Sequence, residues 1–172
     1  VEDPIQYKLY GSAYNISDKY EASEFGFRGG LGGVYKINDQ IQAKLDLSML
    51  FSSYKNPESI NRSLFRIFPS LAYTSGDLMV DVGVKVVNNN DTIVGDSKTN
   101  IYPALKAEYN LLDNITAYGS VGGDMEEVTF QSIARENPYV NSNLPLLHSN
   151  NSLDFNLGLK GNWVQYLAFD VG

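Results

Sequence analysis

The chain has 172 residues, of which 13 are basic and 20 acidic, for a net charge of −7, with no cysteine and one histidine. The lack of cysteine excludes a disulfide framework and a thiolate metal site, and the acidic balance excludes a nucleic-acid partner, whose binding rests on Lys and Arg neutralising phosphates. No apolar run approaches the roughly 20 residues that a membrane-crossing helix needs, and Val1 to Pro4 carry neither the basic nor the apolar region of a secretory leader.

Helical spacing is scarce, whereas alternation with period two recurs in nine segments. The first carries Lys8 on its polar face, and the second is rich in glycine (Gly26, Gly29, Gly30, Gly32, Gly33). The third sets Ile41, Ala43, Leu45, Leu47, Met49 and Phe51 against Gln42, Lys44, Asp46, Ser48 and Ser52, and the fourth sets Phe65, Ile67, Pro69, Leu71 and Tyr73 against Arg66 and Ser70. The fifth places Leu78, Val80, Val82, Val84 and Val86 opposite Asp81, Gly83 and Lys85, with Met79 as its one large apolar exception. In the sixth, Ile101, Pro103, Leu105, Ala107 and Tyr109 face away from Asn100, Lys106 and Glu108. The seventh is again glycine-rich (Gly119, Gly122, Gly123). The eighth opposes Leu153, Phe155, Leu157, Leu159 and Trp163 to Asp154, Asn156, Gly158 and Lys160, and the ninth opposes Leu167, Phe169 and Val171 to Asp170. No charge falls on the apolar face of any segment.

A soluble β-sandwich or a lipocalin-like binder alternates too, with its polar face in water. In an outer-membrane barrel the apolar face meets lipid and the polar face lines the interior, with strands of about ten residues crossing at a tilt. Two regularities favour lipid. Short connections (Asn38-Asp39, Ser75-Gly76, Leu112 to Asn114 and a turn near Val164) are expected to alternate with long ones (Ser17 to Ser23, Lys55 to Ile60, Asn88 to Lys98, Glu126 to Asn151). An aromatic also stands on the apolar face beside each short turn: Tyr35, Tyr73, Tyr109 and Trp163, read as a periplasmic girdle, with Phe25, Phe51 and Phe65 in an outer girdle. Pro69 and Pro103 fall inside strands, where a missing N–H demands a bulge or a broken bond.

The expected fold is therefore all-β, an antiparallel transmembrane β-barrel with eight to nine up-and-down strands in this chain. Because single-chain antiparallel barrels normally have an even strand count, residues 1–172 are read as one barrel segment, truncated at one or both ends and part of a larger barrel. Its lumen-lining charges are Lys44, Asp46, Arg66, Asp81, Lys85, Lys106, Glu108, Asp154 and Lys160, with Lys8, Arg28, Lys36 and Asp170 on the same face. Such charges must pair or stay hydrated, which gives either ion-pair ladders or the wall of an aqueous path. The strand glycines read as sites of curvature, since no helix follows Gly29 to Gly33 to make a phosphate loop.

No catalytic residue, metal site or cofactor is expected. His148 lies in the longest connection without a triad spacing, and Asp91, Asp96, Asp124, Glu126 and Glu127 read as a solvated acidic rim rather than calcium ligands. The segments Glu136-Asn137-Pro138-Tyr139 and Leu153 to Gly161 resemble outer-membrane barrels of Bacteroidota of the porin-like or TonB-dependent-receptor-like kind. The resemblance implies the outer membrane of a Gram-negative bacterium, a lipid bilayer as partner and passage of small solutes. No plug or TonB-contacting segment of the full receptor class is recognisable. The alternative is a scaffolding barrel that presents its loops to surface lipoproteins or other envelope proteins. The segment Glu126 to Asn151, with Arg135, Glu136, Tyr139 and His148 among the apolar Phe130, Ile133, Leu144, Leu146 and Leu147, is expected to be the main functional loop. Ordering it costs on the order of 1 to 2 kcal/mol per residue in backbone entropy, so it must bury those side chains, inside the barrel or on a partner.

Overall fold

The alternating segments become nine strands in one sheet, in the order of the chain, each antiparallel to the next. They are β1 (Ile5–Ser17), β2 (Ser23–Lys36), β3 (Ile41–Asn56), β4 (Glu58–Ser75), β5 (Leu78–Asp91), β6 (Ser97–Leu112), β7 (Ile115–Glu126), β8 (Ser149–Val164) and β9 (Leu167–Val171). The computed structural model describes residues 5–56, 58–91, 97–141, 146–164 and 167–172. A single sheet leaves no second layer for a sandwich to pack against.

Neighbouring strands lie about 4.8 Å apart, so in a flat sheet three inter-strand spacings would separate β4 from β7 by roughly 14 Å. Arg66 on β4 nonetheless meets Asp124 on β7 at 3.1 Å, and Lys44 on β3 meets Asp81 on β5 at 2.6 Å. The sheet is therefore curled, with the charged face inside. The apolar face is the convex one, and it is exposed on every strand but β7, where it is half-buried: Leu9, Leu31, Leu45, Ile67, Val82, Leu105, Phe155 and Val171 are all exposed, and Leu157 is 80 % exposed.

The short turns fall where the pattern places them. Asn38 accepts the N–H groups of Gln40 and Ile41 through its Oδ1, and Gly76 takes the positive φ that its turn needs. The expected long connections do not all follow. Asn56 already pairs with Glu58, and the β5–β6 ladder continues to Asn90 and Ser97. Polar residues extend these hairpins because backbone pairing satisfies N–H and C=O groups whatever the side chain, and Asn88 Nδ2 adds bonds to Ser97 and Thr99 at 3.0 Å. The expected connection between Ser17 and Ser23 is present, and the β7–β8 connection holds a helix the alternation gave no sign of, α1 (Phe130–Glu136).

The two prolines sit where ladders are interrupted. The β4–β5 register skips Phe68 and Pro69, and the β6–β7 register stops at Ala104, beside Pro103. On the concave face the glycines do more than bend the sheet: Tyr10 lies across Gly30, Tyr14 across Gly26 and Tyr118 across Gly158, each ring occupying the space of a missing Cβ on its paired strand.

Candidate functional site: the inward loop and its arginine clamp

A seven-residue helix is marginal alone, so α1 depends on its surroundings. Thr129 caps it: its Oγ1 accepts the Ser132 N–H at 3.0 Å, while Ser132 Oγ accepts the Thr129 N–H at 2.9 Å. The amphipathic pair Phe130 and Ile133 then turns toward the concave wall. Phe130 is buried with its ring 5.5 Å from that of Tyr54 on β3, in a cluster with Ala22 and Leu146 that Ile16, Ile60, Ile133 and Val140 flank. The β7–β8 connection thus folds inward, onto the wall.

Two tiers of arginine hold it there. In the first, Arg62 on β4 is 1 % and Glu24 on β2 is 0 % exposed, and they pair at 3.1 Å. Arg62 Nη1 also donates to the carbonyls of Val128 (2.9 Å) and Leu146 (2.7 Å), gripping the loop on both sides of α1. Glu24 Oε2 accepts the Gln131 N–H and the Tyr14 hydroxyl, each at 3.1 Å. A buried ion pair repays its desolvation only when its remaining hydrogen bonds are made; here the loop backbone takes Arg62 Nη1 and Glu24 Oε2, while Arg62 Nε is buried without a partner.

In the second tier Glu127, the first residue after β7, lies between two arginines. Arg28 Nε on β2 donates to Oε2 at 3.0 Å, and Arg66 Nη1 on β4 donates to Oε1. Arg66 further holds Asp124 and the Met125 carbonyl, and Lys85 reaches Asp124 at 2.7 Å. Burial would raise the Glu127 carboxyl, but the hydrogen bonds from Arg66 and Arg28 and their charges hold it below its ordinary value of 4.5. Asp124 and Glu127, expected on a solvated rim, are instead counter-charges inside the curl. His148, expected as a solvated loop residue, is half-buried, and its Nδ1 accepts the Val128 N–H at 3.1 Å.

Beneath this clamp Leu50, Leu64, Val87, Tyr102 and Met125 form a buried apolar cluster on the concave face. Toward the turns the same face is polar and open. Lys44 pairs with Asp81, and Glu108 takes both Lys106 (2.8 Å) and Lys160 (3.0 Å); Lys44, Asp81, Lys106 and Glu108 line a cleft of about 290 Å³ together with Gln42, Thr74 and Met79. Asp46 and Asp154 stand exposed on this face.

The expected interface aromatics Tyr35, Tyr73 and Tyr109 are exposed at the turn ends; Phe25 is exposed near the start of β2, whereas the longer β3–β4 hairpin leaves the exposed Phe51 and Phe65 well inside their strands. The Trp163 side chain, Leu144, Asp96 and the side chain of Asp91 lie outside the described residues. Arg135, Glu136 and Tyr139 are exposed at the end of α1 and beyond, Tyr139 at 94 %. A depression of about 850 Å³ around Gly11 and Gly29 is lined by Leu9, Phe27, Leu31, Met49, Phe65 and Ile67; it belongs to the apolar face and gathers no chemistry.

Sequence reasoning missed Glu24 and Arg62. Each stands four residues before an arginine already assigned to the interior, Arg28 and Arg66, and so shares its face; extending the alternation toward the strand ends finds both. Comparison with protein families, with characterised proteins and with solved structures gave no match.

Proposed function

We propose that the curled sheet is part of the wall of an outer-membrane β-barrel of a Gram-negative bacterium, that its convex face meets lipid, and that it serves the passage of small solutes through a lumen narrowed by the β7–β8 connection. The observation that carries this reading is the apolar face that runs across the sheet, exposed on every strand but the half-buried β7, while the charges gather on the other side. Soluble proteins rarely expose contiguous apolar patches beyond a few hundred Å², and a hydrocarbon layer removes the cost of such a face. The exposed tyrosines at the turn ends suit a membrane boundary.

Heat-modifiable electrophoretic mobility of the full-length protein in detergent, followed by conductance in planar bilayers, tests the reading. A monodisperse sample without detergent sinks the membrane part, and a folded barrel with neither conductance nor solute uptake in liposomes sinks the passage part. A second reading draws on the filled loop end: the Leu50 cluster and the docked α1 occupy the concave face there, which suits a scaffold that presents its loops to a surface lipoprotein. A stoichiometric partner that protects the loops from protease, together with absent conductance, favours that role.

A further inference from the structure

We infer that Arg28 and Arg66 form a binding site for the carboxylate of a small anionic solute, occupied at rest by the chain's own Glu127. The inference rests on the barrel reading and adds to it the class of solute that the lumen recognises.

Three observations carry it. First, Glu127 does not belong to the wall: it follows β7 and enters from the connection, while both arginines project from strands, β2 and β4, on either side of β3. Second, both guanidinium groups are positioned without it. Arg28 lies over the Tyr14 ring of β1, 5.2 Å from its centre, and Arg66 is held by Asp124 and by the Met125 carbonyl of β7. Withdrawal of Glu127 therefore leaves two oriented donors, the arrangement that recognises a planar carboxylate through charge-assisted hydrogen bonds. Third, the wall at this level is short of negative charge. Among the described residues, Arg28, Arg66 and Lys85 have Asp124 as their remaining ion-pair partner once Glu127 is removed, three cations against one anion, because the Arg62 and Glu24 pair is internally neutral. The side chains of Arg28, Arg66 and Glu127 are 30 %, 15 % and 26 % exposed, so the site is open to solutes from the concave side.

A carboxylate ligand thus competes with Glu127 for the same donors, and its binding releases the first anchor of the loop. The test uses the full-length protein folded in detergent, with heat-modifiable mobility confirmed first; failure to reach that state counts against the barrel and not against the site. Calorimetric titration with succinate is expected to give about tenfold tighter binding to Glu127→Gln than to the unaltered protein, and replacing Arg28 and Arg66 by Gln in that background should remove the gain. Equal binding by the unaltered protein and the folded Glu127→Gln variant, or a gain that survives loss of the arginines, overturns the inference. A second measurement needs no variant: succinate should speed tryptic cleavage after the exposed Arg135, since cutting there requires α1 to open. Sodium chloride at equal ionic strength should not. Identical cleavage rates in the two salts overturn the proposal.

Discussion

The two ends of the concave face are made by the same strands with the same alternation, yet they have become different materials. At the loop end, Leu50, Leu64, Val87, Tyr102 and Met125 stand at inward positions and are buried, and Glu24 and Arg62 are closed off from water. At the turn end the inward positions carry Lys44, Asp81, Lys106, Glu108 and Lys160, whose ion pairs stay partly exposed around an open cleft. The difference lies in what covers the wall. A covered ion pair depends on protein groups for its remaining hydrogen bonds, whereas one in contact with water can leave its remaining positions to solvent.

The largest effect should come from breaking the covered pair. Arg62→Met leaves Glu24 buried without its partner and removes both grips on the loop backbone, a loss of about 3 to 5 kcal/mol. Limited proteolysis of the loop should become fast while the strands stay protected. Phe130→Ala empties the apolar side of the same dock at a cost of about 3 kcal/mol, and hydrogen exchange at α1 should report it without change in β3 or β4. Acid offers a graded version. The Glu127 carboxyl sits below its ordinary value, so its contribution to docking is complete above pH 4.5 and is lost as pH falls through the lowered value. Protease sensitivity of the loop should be flat at neutral pH and rise only below about that ordinary value. The smallest effect belongs to the turn end, where Lys44→Gln should cost at most about 1 kcal/mol and leave the loop untouched. If Lys44→Gln destabilises the dock as much as Arg62→Met, the two ends are not the separate zones described above.

Which face each residue takes was largely readable, because period-two alternation is a local property and the turns at Asn38 and Gly76 carry their own chemistry. Depth along the strand was harder. Its sign was present in Leu50 and Leu64, apolar residues at positions the pattern reserves for polar ones, which mark a zone that something must cover. The cover itself was only half legible. The apolar content of the β7–β8 connection argued for an ordered, buried loop, and Phe130, Ile133 and Leu146 are indeed packed. The partners of Glu127 and Asp124 lie between 39 and 99 residues away in the chain, and no local spacing reports a contact of that range. The helix was hidden for a different reason: seven residues offer two turns at most, too few for a period to stand out.

One bulge governs where that connection begins. Between Gly122 and Asp124 the β7–β8 register slips, and at Gly123 a Cβ would stand 2.6 Å from both the Ser152 carbonyl oxygen and the Tyr102 ring. Up to Val121 the odd positions of β7 share the outer face, and an uninterrupted beat would send Met125 out with them. The extra residue lies on β8, where Ser152 and Leu153 stand opposite Gly123 alone, and beyond this slip Met125 joins the buried cluster while Asp124 stays within reach of Arg66 and Lys85. The eighth strand thus takes one residue more than the seventh to cover the same length, and the glycine that faces this surplus is the place where the wall gives way to the dock.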